Sequence, residues 1–280
     1  MGVMMSIYMR MLRLGTRSAF WFAVGFGALF LVRVPFLFVH YVPYHLPFEP
    51  WVALVPLVGV LWGPPGILAV GVATALGDWM AGLRDALPLW HAVGFMGWAW
   101  SARALWVIRP PVEAREDADP EVTWSASLYF VVVSLPGAFV AAVCMGLGAD
   151  LLRSYAFPYV AVITLCNHLV YLAVLGVFLY RVFQRALVSR FGCWDESHTP
   201  RRPSMLGAAL QVVGAAGAWL IGMAVAIRMG YPARGPVVYG DTAGLRLLPG
   251  VLPFLLLFVI GLVCPPVKRR ETGSMSSGTV

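Results

Sequence analysis

The sequence predicts an all-α protein, a polytopic membrane helix bundle with about eight transmembrane helices. Of its 280 residues, 60% are apolar or aromatic and only 12% are charged. The mean hydropathy is +0.80, and apolar stretches separated by proline, glycine and charge recur along the chain. A soluble domain usually contains about 25% charged residues, so this composition indicates lipid as the main solvent and excludes a water-soluble enzyme, a disordered chain and a coiled coil.

The apolar stretches predict the helices in order. The first helix is expected over residues 18–40, and the proline-rich aromatic loop that follows it is typical of a membrane face. A short apolar run over 51–62 ends at Gly63-Pro64-Pro65-Gly66, which breaks a helix, so a tight turn and a second helix over 67–83 are predicted. The later helices are expected over residues 88–108, 124–147, 157–180, 205–229 and 247–264.

These helices divide the chain into five parts. Residues 1–17 form a cytoplasmic N-terminus, and residues 18–182 form a six-helix membrane core. A cytoplasmic loop over 183–204 separates the core from two additional transmembrane helices over 205–265. The tail, residues 266–280, is rich in serine and glycine and is expected to be disordered in the cytoplasm.

Positive charge predicts the orientation, because cytoplasmic loops collect arginine and lysine. With eight helices, five arginines fall on one side of the membrane, namely Arg84, Arg153, Arg228, Arg234 and Arg246. Arg33 lies inside the first helix, which leaves fourteen of the 20 basic residues for the other side. The protein is expected in the inner cell membrane, and both termini are expected in the cytoplasm. Six helices with two misassigned segments would give the same sign.

The sequence lacks the residues that several enzyme chemistries require. The single lysine, Lys268, lies in the tail, so a phosphate-binding loop of the Gly-x-x-x-x-Gly-Lys type is absent. The four cysteines lie at least 22 residues apart, which excludes a Cys-x-x-Cys pair. An acidic cluster, Glu116-Asp117-Ala118-Asp119, is better explained as a solvated loop than as a divalent-ion site. We therefore expect no catalytic residues, no metal and no cofactor.

Polar side chains inside the apolar helices mark a candidate binding site, because each needs a polar partner or a water-filled cavity. In the predicted orientation they fall in the outer half of the membrane, where they could converge on one pocket. Aromatic residues in the same zone could stack on a flat ring, although an interfacial aromatic belt explains several of them equally well. The predicted substrate-binding residues are Asp78, His91, Trp98, Asn167, His168 and Tyr171.

The alternatives within this set stay open. Asn167 and His168 could touch ligand or bond helix to helix, and Arg84 or a helix end could satisfy Asp78. Neighbouring positions on a helix diverge by about 100°, so Asn167 and His168 cannot both face one partner. Tyr171 lies one turn from Asn167 on the same face, which favours Asn167 for ligand contact.

Small residues at every fourth position mark a face of the first helix: Ala19, Ala23 and Gly27. Such a stripe forms a shallow groove that lets another helix approach closely. The groove could serve packing within the bundle or docking of a separate membrane subunit.

Two stretches give the chain a resemblance to a known family. Residues 55–66 (VPLVGVLWGPPG) followed by residues 76–82 (LGDWMAG) resemble a segment of the substrate-binding S components of energy-coupling factor (ECF) transporters. The resemblance covers roughly residues 15–185 and implies that the small-residue stripe docks a transmembrane T component, which works with ATPase subunits. That family generally has six helices, so residues 205–264 have no counterpart in it.

The leading hypothesis is a substrate-capture subunit for ATP-driven uptake of a vitamin-like or other small micronutrient. The chain itself would not be an enzyme, since the missing phosphate loop assigns ATP hydrolysis to another subunit. One alternative is a membrane sensor or scaffold domain. Another is an integral membrane enzyme of lipid metabolism that uses Asp78, Asp85 and His91, although this group lacks a second metal-ligand pair.

Overall fold

The computed structural model describes residues 2–36, 40–41, 46–47, 49–83, 85–106, 120–152, 154–188, 204–230 and 243–264, and the predicted all-helical class is confirmed for them. The 3-10 turns Val34–Phe36 and Pro50–Ala53 flank a minimal antiparallel pair of strands, β1 (His40–Tyr41) and β2 (Leu46–Pro47). A π-helical turn, Leu172–Gly176, joins α5 to α6. The helices are α1 (Gly2–Arg33), α2 (Leu54–Met80), α3 (Leu87–Trp106), α4 (Pro120–Leu151), α5 (Phe157–Tyr171), α6 (Val177–Val188), α7 (Met205–Arg228) and α8 (Ala243–Val263).

Six helical segments among the described residues are long and apolar enough to cross a membrane. They indicate a multi-pass membrane protein, as the composition predicted. α3 is not among them, since its sequence carries more polar groups, and α2 with its preceding turn counts as one segment. The six segments are Ser18–Phe36, Pro50–Met80, Trp124–Leu151, Phe157–Phe183, Met205–Arg228 and Leu245–Val263.

The chain reverses direction inside α2, which confirms the predicted helix–turn–helix. Gly63 has φ 62° and ψ −144°, a backbone conformation that glycine adopts readily and other residues rarely do. Pro64 and Pro65 follow it and start the second arm. The two arms are in close contact at Gly66, where an added Cβ would lie only 2.7 Å from the carbonyl oxygen of Val58. We call Leu54–Trp62 the first arm and Pro64–Met80 the second arm.

α3 runs parallel to the first arm and antiparallel to the second. Along the first arm, Gly59 packs directly on the backbone of Ala99, and the Arg103 guanidinium lies at Gly63 and donates to the Val60 carbonyl oxygen at 3.3 Å. Along the second arm, Asp78 meets His91. α3 also packs along α4, so it lies between α2 and α4, with Leu89, Val93 and Trp100 on its exposed face.

Side chains fix the starts of three helices. Asp85 accepts a hydrogen bond from the Leu87 backbone N–H at 2.8 Å, and Asp150 accepts one from the Phe157 N–H at 2.8 Å. The Ser204 hydroxyl accepts from the Gly207 N–H at 3.0 Å. These oxygens satisfy backbone donors that have no partner within the first helical turn. The starts of α3, α5 and α7 therefore lie within a few residues of the predicted ones.

The last two helices form an antiparallel pair through glycines. Gly207 packs against Gly261, and Gly214 packs against the backbone of Phe258. The Gln211 side chain bridges the pair to the rest of the bundle, since it donates to the Gly261 carbonyl oxygen at 3.2 Å and accepts from the Ser101 hydroxyl at 3.0 Å. The additional helices are therefore integrated into the same bundle as α3.

Candidate functional site

A buried charge network lies at the end of the bundle that α1 reaches at Arg33. The Arg33 guanidinium donates to one carboxylate oxygen of Asp78 and to the carbonyl oxygen of Thr74 at 2.6 Å. The other Asp78 oxygen pairs with His91 Nδ1 at 2.7 Å. Glu49 lies 3.6 Å from Arg33 and adds a second carboxylate. The network of Arg33, Glu49, Asp78 and His91 thus joins α1, both ends of α2 and the start of α3.

Gly77 explains how this arginine fits. A Cβ at Gly77 would overlap the Arg33 guanidinium, so only glycine lets the planar group lie against the second arm of α2. The carbonyl oxygens that Arg33 contacts belong to the last turns of this helix, where the backbone dipole attracts positive charge. The Gly77-Asp78 pair therefore works as a unit in which glycine makes room for the cation and aspartate neutralises it.

Glu49 is the member of the network that precedes the membrane-spanning segment Pro50–Met80. Burial raises the pKa of the Glu49 carboxyl to about 7. The Asp78 charge adds to the increase, while Arg33, His91 and a hydrogen bond with Trp51 oppose it. Near neutral pH this side chain therefore exchanges a proton, and the net charge of the network changes by one.

An aromatic cluster lies next to the charge network, towards the middle of α3. We use this name for Trp51, Phe95, Trp98 and His168. Phe95 is its centre, with ring centroids 5.2 Å from Trp51, 6.2 Å from Trp98 and 5.4 Å from His168. The Trp98 and His168 centroids are 4.6 Å apart. Arg33 joins the two groups, because its guanidinium carbon lies 4.6 Å from the Trp51 ring centroid.

Two ring nitrogens of the aromatic cluster are buried without a hydrogen-bond partner, Trp98 Nε1 and His168 Nδ1, whereas the Trp51 indole interacts with the Glu49 carboxylate. All four rings are at most 2% exposed. A buried polar atom that lacks a partner costs about 1–3 kcal/mol, and proteins rarely leave several together. This arrangement is therefore suited to a polar ligand or ordered water that supplies the missing bonds.

The structure separates the predicted substrate-binding residues into two adjacent layers. Asp78 and His91 lie in the charge network, where they bond each other and Arg33. Trp98 lies about two turns further along α3 from His91 and meets His168 of α5 in the aromatic cluster. The Asp78 carboxylate is paired with the Arg33 guanidinium. Arg84, the partner suggested by the sequence, lies outside the described residues.

On α5, His168 rather than Asn167 faces the aromatic cluster. His168 is buried against Trp98 and Phe95, while Asn167 is half-buried and about 100° around the helix. Tyr171 is buried and lies one turn beyond His168. The π-helical turn begins at the next residue and packs against the 3-10 turn that carries Trp51. Such turns occur frequently at functional sites.

The small-residue stripe on α1 faces away from the bundle. Ala19 and Ala23 are exposed, and a Cβ at Gly27 would meet no atom within 4 Å. The stripe therefore does not serve packing against the described helices. Its surface is open to lipid or to another membrane helix.

Arg33, Glu49, Trp51 and Phe95 were not predicted as site residues. Arg33 carried a usable signal, because an arginine inside an apolar helix requires a buried acidic partner. Glu49 and Trp51 lie in and after a loop, and no spacing in the sequence assigns their partners.

The acid–base group suggested for a lipid enzyme is not assembled as one cluster. Asp85 is exposed and caps α3, while Asp78 and His91 are engaged in the charge network. Among the residues that the structure describes, no group of three or more His, Cys, Asp and Glu side chains could hold a metal ion.

Compared with known proteins, this chain matches no family model, no curated protein and no solved structure.

Proposed function

We propose that this chain is a membrane-embedded substrate-capture subunit for uptake of a small micronutrient, resembling the S components of ECF transporters. The observation that supports it most is the aromatic cluster, in which buried ring nitrogens lack partners beside a charge network that is internally paired. Flat aromatic walls with a few polar atoms are typical of small-molecule sites. On this proposal, Trp98 and His168 contact the substrate, while Asp78 and His91 hold the helices around it.

The proposal places eight crossings in the membrane, with both termini in the cytoplasm. The arms of α2 supply two crossings and α3 supplies one, in addition to α1, α4, α5 with α6, α7 and α8. The first arm with its 3-10 turn is about 20 Å long, shorter than the hydrocarbon core of about 30 Å. Its start is held against α3 by the contact between Trp51 and Phe95. In this orientation the charge network lies on the outer side and the aromatic cluster lies below it.

Transport would proceed without covalent chemistry on this chain. The substrate enters from the outer side and is held by the aromatic cluster. A T component then docks on the stripe of Ala19, Ala23 and Gly27, whose exposure supports this role. ATP hydrolysis by the partner subunits drives release of the substrate into the cytoplasm.

Native mass spectrometry of the full-length protein, purified in detergent from its own host, tests the capture function. We expect a retained small molecule in the wild type. Trp98→Phe, which keeps an aromatic ring and removes the N–H, should lose most of it. Trp79→Phe is the matched control, because Trp79 is 62% exposed on the second arm of α2 and belongs to neither layer of the site. Absence of any retained molecule, or equal loss in both variants, would contradict the proposal.

A further inference from the structure

A cation and an indole ring meet where α4 and α6 pass each other. The guanidinium carbon of Arg181 lies 3.4 Å from the centroid of the Trp124 ring. Trp124 is the first residue of one membrane-spanning segment, and Arg181 is the third from last of another. Tryptophan is enriched where a membrane meets water. The pair therefore marks the level at which both helices reach the polar surface of the membrane, which is the cytoplasmic surface in the proposed orientation.

No acidic side chain among the described residues balances the charge of Arg181. The three ion pairs found there all belong to the charge network. A guanidinium is always protonated, and Nε of Arg181 is buried without a hydrogen-bond partner. The Trp124 ring attracts the cation, but its face offers no lone pair to the N–H groups. The pair therefore holds a positive charge in place at the membrane surface and lacks an anion.

Two rows of apolar side chains extend from this pair into the membrane. Their members lie three or four residues apart along each helix, so each row follows one helix face for about 10 Å. Every member is more than half exposed. The rows are Leu128 and Val132 on α4, and Phe178 with Val174 on α6 and the π-helical turn before it.

The two rows lie side by side, because α4 and α6 are antiparallel neighbours. Trp124 meets Arg181, whereas further along α4 the Phe130 ring stacks on Tyr180 with centroids 5.1 Å apart. A Cβ at Gly176 would lie 3.6 Å from the same Phe130 ring. Phe130 and Tyr180 are buried and join the two helices on the inner side. The rows therefore form one outer surface, the α4–α6 surface, with Arg181 at its end.

We propose that the α4–α6 surface binds a phospholipid whose headgroup has a net negative charge. The lipid phosphate accepts hydrogen bonds from the Arg181 guanidinium, which suits a phosphate because it can donate two in parallel. The acyl chains lie along the two apolar rows. Arg185 follows one turn later on α6 and adds positive charge, which favours an anionic headgroup over a zwitterionic one. This inference goes beyond substrate capture and does not depend on what is transported.

Native mass spectrometry of the full-length protein, stripped of lipid in detergent, tests the inference. Phosphatidylglycerol and phosphatidylcholine with identical acyl chains are added in equal amounts. We expect the wild type to bind phosphatidylglycerol at least about fivefold more tightly. Arg181→Gln should bind the two lipids equally. Arg228→Gln is the matched control, because Arg228 is an exposed arginine at the end of α7, and it should keep the wild-type preference.

Two further measurements assign the parts of the lipid. Phe178→Ala should weaken the binding of both lipids by the same factor, because it removes apolar surface and no charge. Glycerophosphoglycerol, which is the headgroup without acyl chains, should not displace the bound lipid.

Equal affinity of the wild type for the two lipids would overturn the proposal without depending on the folding of any variant. A preference that persists in Arg181→Gln would overturn it as well. Unchanged lipid binding in Phe178→Ala would show that the acyl chains do not lie on this surface. Displacement by glycerophosphoglycerol would show a site for a soluble phosphate ester instead of a lipid.

Discussion

Arg33 balances the negative charge of the charge network, because its guanidinium faces both Asp78 and Glu49. Arg33→Leu leaves two carboxylates buried without their positive partner. Removal of one member of a buried ion pair typically costs about 3–5 kcal/mol, so we expect a large fall in the melting temperature in detergent.

The double variant Arg33→Leu/Asp78→Leu is the informative companion, since it removes both charges of the closest pair. It should recover a substantial part of the stability, whereas Arg228→Leu, at an exposed site on α7, should change little. An Arg33→Leu protein as stable as the wild type would show that the network does not hold the helices together.

Glu49 predicts a dependence of stability on pH. Its pKa of about 7 in the folded protein exceeds its ordinary value of 4.5, so the fold favours the protonated form. Stability is therefore greatest below about pH 4.5, decreases as the pH rises towards 7 and is constant above that range. The shift corresponds to about 3 kcal/mol.

Glu49→Gln isolates this contribution, because the amide keeps the shape and cannot ionise. Thermal unfolding between pH 5 and pH 8 should show the variant gaining stability relative to the wild type as the pH rises. A constant difference between the two proteins across this range would place the pKa of Glu49 elsewhere.

The first arm of α2 and α3 meet backbone to backbone at Gly59. A Cβ at this position would overlap the carbonyl oxygen of Ala99, so Gly59→Ala should force the two backbones apart and destabilise the protein by about 1–3 kcal/mol. Gly15→Ala on α1 is the matched control, since a Cβ there meets no atom within 4 Å. Equal melting temperatures of the two variants would contradict this packing.

The exposed stripe of α1 gives a test of partner docking. Ala23→Leu should leave folding intact, because Ala23 is exposed, and should abolish co-purification of the T component and ATPases from the native host. Val32→Leu is the control, because Val32 is also exposed and lies on the opposite side of the helix. Loss of folding in Ala23→Leu would show that the stripe packs within the bundle.

The local sequence was enough to predict the helices and the turn inside α2. The contacts between helices depend on how each helix is rotated about its axis, which the local sequence does not determine. Gly63-Pro64-Pro65 specifies a reversal because its residues tolerate few other conformations. In contrast, Arg33 and Asp78 are separated by 45 residues, and no local rule assigns them to each other. The preference for His168 over Asn167 likewise depends on a rotation of about 100° that tertiary packing determines.

For the whole molecule, the arrangement of eight crossings is tested with topology reporters. A reporter inserted at Gly235, between α7 and α8, should be found outside, and a reporter fused after Val280 should be cytoplasmic. Reporters within the N-terminal residues provide the internal reference. A C-terminus on the outer side would contradict the proposed orientation.

The polarity of α3 has a consequence for biogenesis. α3 is not among the segments apolar enough to cross a bilayer by composition, and its buried polar side chains include His91, Ser101 and Arg103. The groups that His91 and Arg103 contact, Asp78 and the Val60 carbonyl, are synthesised earlier, in α2. Gln211, which bonds Ser101, is synthesised 110 residues later. On the proposed topology we therefore expect α3 to enter the bilayer together with α2 rather than alone, and Ser101 to lack its Gln211 partner until α7 has been translated.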